Sequence, residues 1–253
     1  MPYRVNPAVQ SLRRCAWVAT LVIAIALTGV ACSTGKRSAP LVSDGTTPLV
    51  VMAFDTARPL NPVPKGWHHR RFFAVDPMAI SFATHAGRPA IRLATDDSAS
   101  MLYRYTDVAL TDYPRLDWGW FVEQGVQTEI DETTEAGDDH PARLYLKFAL
   151  PDGQTHAMEI IWGNRTLHRG DWKYFGEPDS KNRFPHYVAR GGGQQTGRWH
   201  DESVDLVELY ETQWGSAESV RLVELALFCD TDATGAQSVA YFSKVLLNKA
   251  TQN

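Results

Sequence analysis

Strict alternation of apolar and polar residues, repeated in short segments along the chain, is the feature that most limits how this chain can fold. In residues 115–123 the side chains of Leu116, Trp118, Trp120 and Val122 occupy every second position. This period of two is typical of a strand that buries one face against a core. The segments that show the pattern, or read as further strand candidates, are 49–55, 89–95, 115–123, 142–150, 156–162, 220–230 and 238–248.

Turn signals separate these segments. Residues 151–153 read Pro-Asp-Gly, in which Pro presets a backbone dihedral and Gly accepts a positive φ. Residues 86–89 and 163–164 interrupt the strand pattern in the same way. Many short strands with frequent turns predict a mainly β fold, either an antiparallel sandwich or a barrel.

One segment departs from the period of two. Its apolar positions fall near helical spacing: Val204, Leu206, Val207, Leu209 and Tyr210. Asp201 is a suitable N-cap residue and Gly215 a suitable residue just after the last turn. We therefore expect one short amphipathic helix near residues 201–214, lying across the sandwich.

The N-terminal residues predict export from the cytoplasm. The first fourteen contain three arginines and no acid, and residues 15–31 carry no charge. A basic start, an apolar run and small residues before a break are typical of a secretory signal peptide. The alternative is a permanent membrane anchor, for which the uncharged run is short against the roughly 20 residues that cross a bilayer. We predict a signal peptide over residues 1–31.

Residues 27–32 resemble a bacterial lipobox, in which the cysteine takes a diacylglycerol after cleavage. Val30 and Ala31 fit that pattern, whereas Gly29 stands where Leu is usual. The resemblance implies lipid attachment at Cys32 and, with Ser33 rather than Asp following it, the periplasmic face of the outer membrane in the cell envelope. Simple secretion and a twin-arginine signal are the alternatives. Residues 32–48, rich in Ser, Gly, Pro and Thr, predict a flexible tether before a single domain at 49–253.

The number of cysteines and the net charge argue against a disulfide-stabilised domain and against a nucleic acid-binding protein. With Cys15 removed and Cys32 acylated, only Cys229 remains, so the domain has no intrachain disulfide to stabilise it. The net charge is −4, and the one basic run, residues 67–71, is short. This balance argues against a nucleic acid partner. The expected partners are the membrane, through the lipid, and a glycan or envelope protein.

Several short motifs occur in an order that resembles a bacterial family, domain of unknown function 3047. They are Pro64-Lys65-Gly66-Trp67, Trp118-Gly119-Trp120, Asp138-Asp139 with Ala142-Arg143, Trp162, Trp199 and Asp230-Thr231-Asp232-Ala233-Thr234. Ala233 stands where the family has Asn, and residues 201–203 replace an expected basic pair. The resemblance implies a secreted or lipid-anchored protein with a jelly-roll, galactose-binding-like sandwich similar to carbohydrate-binding modules. It carries over no activity.

Two groups of polar and aromatic residues are candidates for ligand binding. Carboxylates can accept sugar hydroxyls, and aromatic rings near turns can stack on sugar faces. The alternatives are a solvated acidic loop whose acids pair with Arg143, and indoles that close the ends of the sandwich. The candidate ligand-binding residues are Trp67, Asp138, Asp139, Arg143, Tyr145 and Trp199.

Asp230 and Asp232 form a weak metal candidate. Alternate carboxylates in a loop can bind Ca²⁺, which takes six to eight oxygens, but two acids do not fill that shell. The alternative is an Asx turn that ends the preceding strand. Apart from this structural calcium, no cofactor is expected.

Three functions follow from these observations. The first is a non-enzymatic envelope lipoprotein that binds a glycan or another envelope component. The second is a saccharide hydrolase that pairs Asp138 or Asp139 with Glu159 or Asp230, because glycoside hydrolysis uses two carboxylates roughly 5–10 Å apart. The third is a structural lipoprotein that binds only proteins.

Overall fold

The computed structural model describes residues 38–176, 183–192 and 195–250. The predicted signal peptide and Cys32 lie outside the described residues, as does the first part of the predicted tether. Among the described residues, no helix combines the length and the apolar character needed to cross a membrane.

Strands make up most of the described chain. Among the described residues, one 3₁₀ turn, Glu135–Gly137, precedes β8, and one α-helix, α1, spans Leu206–Trp214. The strands are β1 Leu41–Val42, β2 Leu49–Met52, β3 Trp67–Arg71, β4 Ala79–His85, β5 Arg88–Asp96, β6 Ala99–Ala109, β7 Arg115–Gln124, β8 Arg143–Ala149, β9 Thr155–Trp162, β10 Trp172–Phe175, β11 Phe184–Arg190, β12 His200–Asp205, β13 Arg221–Asp230 and β14 Gln237–Asn248.

The strands form two sheets. An eight-stranded sheet has the order β1-β6-β13-β8-β9-β11-β10, with β3 also paired to β6. A six-stranded sheet has the order β12-β7-β14-β5-β4, with β2 also paired to β14. The predicted mainly β sandwich is confirmed. Its pairs are antiparallel except β1 with β6 and β9 with β11, which are parallel.

The core lies between the sheets, where the alternating side chains meet. Leu116, Trp118, Trp120 and Val122 are all at most 3% exposed, as their spacing predicts. The Trp120 ring contacts three others edge-on, including that of Trp162 from the opposite sheet at 5.4 Å between centroids. This close contact between indoles joins the sheets without a disulfide.

The helix exists, but it begins later than predicted. Residues 200–205 form strand β12, paired with β7, so Asp201 is not the N-cap. Asp205 caps α1 instead, because its Oδ1 accepts from the backbone N–H groups of Val207 at 2.9 Å and Glu208 at 3.0 Å. Gly215 ends the helix as expected, with φ +82°. The alternation of residues 200–205 is a strand signal that the helical spacing after them obscures.

The folded part begins before residue 49, inside the segment predicted as a tether. Residues 41–42 add to the free edge of β6, opposite Thr106 and Asp107. The Tyr113 hydroxyl, on a side chain that is almost fully buried, accepts from Ser43 Oγ at 2.8 Å and donates to the carbonyl of Thr46 at 2.7 Å. These bonds hold residues 41–46 on the sandwich, so only the part before them can act as a tether.

Candidate functional site

The side chain of Arg143, a candidate ligand-binding residue, is used inside the protein. It lies on the outer face of the eight-stranded sheet, yet the residue is 1% exposed. Its Nη1 donates to Glu159 Oε2 at 2.7 Å, its Nε donates to Asp230 Oδ1 at 2.9 Å, and its Nη2 donates to the carbonyl of Asp138. The guanidinium therefore joins β8, β9, β13 and the loop before β8.

Further buried charges surround this guanidinium. Lys173 Nζ, from β10, lies 2.7 Å from Asp138 Oδ1 and 3.0 Å from His140 Nε2. His186 Nε2, from β11, lies 3.2 Å from Glu159 Oε2. We name this group the Arg143 cluster; it comprises Asp138, His140, Arg143, Glu159, Lys173, His186 and Asp230.

The electrostatics of the cluster are those of a compensated ionic network. Burial opposes ionisation of Asp138, but its electrostatic interactions with Arg143, His186 and Lys173 outweigh burial and hold the pKa of that carboxyl well below its usual range. Burial likewise opposes ionisation of Glu159, and Arg143 with His186 lowers its pKa overall. Burial, reinforced by the charges of Lys173 and Arg143, lowers the pKa of His140 to about 3. At neutral pH both carboxyls are therefore ionised and His140 is neutral.

The metal candidates Asp230 and Asp232 come together with Asp139. One oxygen from each of the three lies within 4.8 Å of the others. Asp139 also accepts from the backbone N–H groups of Ala233 and Thr234 and from Thr234 Oγ1, which closes the 231–235 loop. Burial, with the charge of Asp139 next, raises the pKa of Asp232 to about 6. Three oxygens are at most half of a calcium shell, so calcium binding here stays a prediction.

Two of the other candidates are interior residues. Trp67 is 6% exposed and stacks on Phe82 with 6.0 Å between ring centroids. Tyr145 is 7% exposed and lies against Phe184. Together with Asp139 and Arg143, both 1% exposed, they are placed where a ligand on the surface does not reach them. Their polar and aromatic character reflects packing and charge pairing rather than a surface for recognition.

Trp199 is half-buried and lies on the other sheet. Its Nε1 donates to the carbonyl of His85 at 3.0 Å, and its ring packs edge-on against Phe121 at 5.7 Å. The Arg88 guanidinium lies 5.3 Å from the ring centroid and pairs with Asp201. The structure therefore separates Trp199, on the outer face of the six-stranded sheet, from the Arg143 cluster on the eight-stranded sheet.

A cavity of about 750 Å³ opens where β7 leads into the loop 125–132, and we name it the loop cavity. Its volume falls within the roughly 300–1,000 Å³ that is usual for ligand sites. Its lining residues are Glu123, Gln124, Gly125, Val126, Gln127, Thr128, Glu129, Ile130, Glu132, Pro141, Trp162, Asn164, Arg165, Thr166 and Thr196.

Glu132 fixes two walls of the loop cavity relative to each other. Its side chain, almost fully buried, accepts from four successive backbone N–H groups, those of residues 164–167, and from Thr166 Oγ1. Burial opposes ionisation of Glu132, but these N–H groups, led by that of Leu167, lower its pKa to about 2. Lys173 Nζ also donates to the carbonyl of Glu132. The Arg143 cluster and the cavity wall are thus directly connected.

The lining of the loop cavity is rich in hydrogen-bonding groups. Amides and hydroxyls come from Gln124, Gln127, Thr128, Thr166 and Thr196, and all but Thr128 are exposed. The apolar part of the lining consists of Val126, Ile130, Pro141 and Trp162. This arrangement offers both donors and acceptors beside an apolar wall, which suits a neutral polar ligand.

A smaller cleft of about 360 Å³ lies between α1 and the strands β10 and β11. Trp172 and Tyr187 line it together with Asp205 and Glu208. Asp205 already accepts two backbone N–H groups as the helix cap, so part of the polar lining is used in folding. The loop cavity is larger and its lining carries more exposed polar side chains, so it is the stronger candidate.

None of the six predicted ligand-binding residues lines the loop cavity. Residues 124–132 alternate in no regular way, and their position depends on Glu132 reaching residues 164–167, more than thirty positions along the chain. A local sequence pattern does not encode that contact. The sequence pattern did place one lining residue of the cavity, Glu123, on the outer face at the end of β7.

Comparison with known proteins gives a family but no activity. No curated protein matches the chain. Among solved structures, the chain is similar to the endoglucanase Cel12A from Rhodothermus marinus at 9% identity and a TM-score of 0.42, over 73% of this chain and 93% of that one. It is similar to the family 30 carbohydrate-binding module of a Clostridium thermocellum cellulosomal cellulase at 10% identity and a TM-score of 0.42, over 82% and 100%.

A third similar structure is the glycoside hydrolase domain of Endo-D from Streptococcus pneumoniae R6, at 10% identity and a TM-score of 0.36. That match covers 74% of this chain and only 22% of the other. The model of the family described as protein of unknown function (DUF3047) matches residues 65–246, which is most of the chain. The resemblance drawn from the ordered motifs is therefore confirmed, and the chain belongs to the DUF3047 family.

Proposed function

We propose that this chain is a lipid-anchored protein of the bacterial cell envelope whose β-sandwich binds an oligosaccharide in the loop cavity. The observation that carries the proposal is the lining of that cavity. Exposed amides and hydroxyls stand beside the apolar side chain of Ile130, which is 40% exposed. Sugars present hydroxyls that both donate and accept, together with apolar C–H faces, and this lining matches both properties.

The hydrogen-bond partners of the carboxylates favour binding of the oligosaccharide without hydrolysis. Of the acids considered for hydrolysis, Glu159 and Asp230 accept hydrogen bonds from the buried Arg143 side chain, and Asp138 contacts both Arg143 and Lys173. Asp139 holds the 231–235 loop. Acids used in this way are not poised on either side of a glycosidic bond, as hydrolysis requires.

Gln127→Ala is expected to weaken oligosaccharide binding. It removes an exposed amide from the rim of the loop cavity. The loss of one or two hydrogen bonds to the sugar should lower affinity by about three- to tenfold. Wild-type and variant chains starting at residue 33, which retain every described residue, are compared on a glycan array and then by calorimetry with the best ligand.

Gln154→Ala is the matched control. Gln154 lies in the turn between β8 and β9, where its Nε2 donates to Asp152, and it is not among the lining residues of the cavity. Its loss should leave affinity unchanged. Failure of the wild-type chain to retain any glycan would refute oligosaccharide binding, and equal losses in the two variants would refute the location.

Cys32→Ser is expected to release the protein from membranes. The acyl chains that the lipobox resemblance implies are the proposed anchor, and each buried CH₂ contributes about 0.8 kcal/mol to membrane binding. Fractionation of cells that express each form, with immunodetection of the domain, measures the change. Cys229→Ser is the control, because Cys229 is buried in the core. Equal membrane fractions for Cys32→Ser and the parent would contradict lipid anchoring.

A further inference from the structure

The loop cavity contains two groups that would ordinarily bind an anion. Both of them contact carboxylates of the chain itself. The first is the run of successive backbone N–H groups at residues 164–167. Such a run forms a concave positive surface that suits a phosphate, sulfate or carboxylate. Here the Glu132 side chain occupies it, with N···O distances of 2.5 Å from Asn164 and 2.8 Å from Arg165.

The second group is the guanidinium of Arg165, which is the cationic side chain among the described lining residues. Its Nη1 lies 2.9 Å from Glu129 Oε2 in an ion pair that solvent screens, since the two side chains are 53% and 97% exposed. The lining contains a third carboxylate, Glu123, which is half exposed and accepts from the Tyr241 hydroxyl at 2.8 Å. Three carboxylates and one guanidinium leave this wall with a net negative charge.

The basic groups behind the walls are engaged as well. Lys173 pairs with Asp138, and Arg190 Nε donates to Glu202 at 2.5 Å. Arg198 is exposed, two positions beyond Thr196, and is not among the lining residues. A ligand with a negative charge would therefore meet a lining of net negative charge, in which the one described cation, Arg165, already lies beside Glu129.

We propose that the loop cavity selects against anionic glycans and accepts neutral or amino sugars. This inference rests on the proposed function, because it assumes that the cavity binds an oligosaccharide. Glu123 and Glu129 are the residues that determine the selection by charge. Glu132 contributes in a different way, since it closes the backbone N–H groups of residues 164–167 to any external anion.

Matched pairs of oligosaccharides test the selection. The two members of a pair share one backbone, and only one of them is anionic. In the first pair, cello-oligosaccharides are compared with their C6-oxidised glucuronate forms, which carry carboxylates. In the second pair, chito-oligosaccharides are compared with their O-sulfated forms. The wild-type chain should bind the anionic member at least about fivefold more weakly at low ionic strength. The difference should narrow in 1 M salt, where the screening length falls to about 3 Å.

The double variant Glu123→Gln with Glu129→Gln should bind both members within about twofold of each other, because it removes two charges and frees Arg165. Glu218→Gln, at an exposed position that is not part of the cavity, changes charge as a control and should preserve the wild-type preference. Equal or tighter wild-type binding of the anionic members would overturn the selection while leaving oligosaccharide binding intact. Retention of neither member of any pair would overturn both.

Discussion

Arg143→Ala should lower the free energy of unfolding by about 3–5 kcal/mol, because it leaves the buried, ionised carboxylates of Asp138 and Glu159 without their main counter-charge. Glu159 and Asp230 would each lose a hydrogen bond of 2.7–2.9 Å. Both have little contact with water in the folded state, so solvent cannot replace the lost partner. Urea denaturation followed by tryptophan fluorescence measures the loss, and the many core indoles give a strong signal.

Arg88→Ala is the matched control for this effect. Arg88 also pairs with a carboxylate, that of Asp201 at 2.5 Å, but the Arg88 and Asp201 side chains are 41% and 70% exposed. Solvent screens such a pair, and its loss should cost no more than about 1 kcal/mol. Equal losses for the two variants would show that the Arg143 cluster is not the compensated buried network described above.

Glu132→Gln should remove a pH-dependent part of the stability. The pKa of Glu132 is about 2 in the folded protein, against an ordinary value of 4.5. Because the unfolded chain takes up a proton first, the carboxylate contributes stability above pH 4.5, and that contribution is lost as the pH falls from 4.5 towards 2. The linkage amounts to about 3 kcal/mol near pH 7. The variant should be less stable by about that amount at pH 7 and equal to the wild type near pH 2.

The difference between wild-type and variant unfolding free energies, taken at several pH values, isolates this effect from other groups. This subtraction matters because burial raises the pKa of Asp230 and Asp232, which acts in the opposite sense. Glu129→Gln is the control, since its side chain is 97% exposed. A wild-type minus variant difference that stays constant between pH 7 and pH 2.5 would contradict the role assigned to Glu132.

Alternation carried most of the fold prediction. In β7 and β8 every apolar residue that alternation places inward is buried, whereas in β13 a register shift between Leu222 and Glu224 interrupts the period of two. The predicted start of α1 was wrong, because residues His200–Asp205 combine strand alternation with acids that equally suit a helix cap. Local pattern alone does not show that β7 has a free edge for these residues to join.

The candidate site was much less predictable. Asp138, Asp139 and Arg143 do come together with Asp230, but they are turned inward, because a guanidinium on a sheet face can be covered by a loop that sequence alone does not place. The loop cavity depends on contacts between residues 132 and 164–167. Such contacts between distant segments leave no periodic trace in the residues that make them.

The docking of Leu41 and Val42 against β6 limits how far the domain can travel from its proposed anchor. Nine residue steps separate Cys32 from Leu41, and a fully extended chain covers about 30 Å over that number. A tether running to residue 48 would have allowed nearly twice that distance. If Cys32 is acylated, the sandwich is restricted to a thin shell above the bilayer, and any glycan it captures must itself approach the lipid surface.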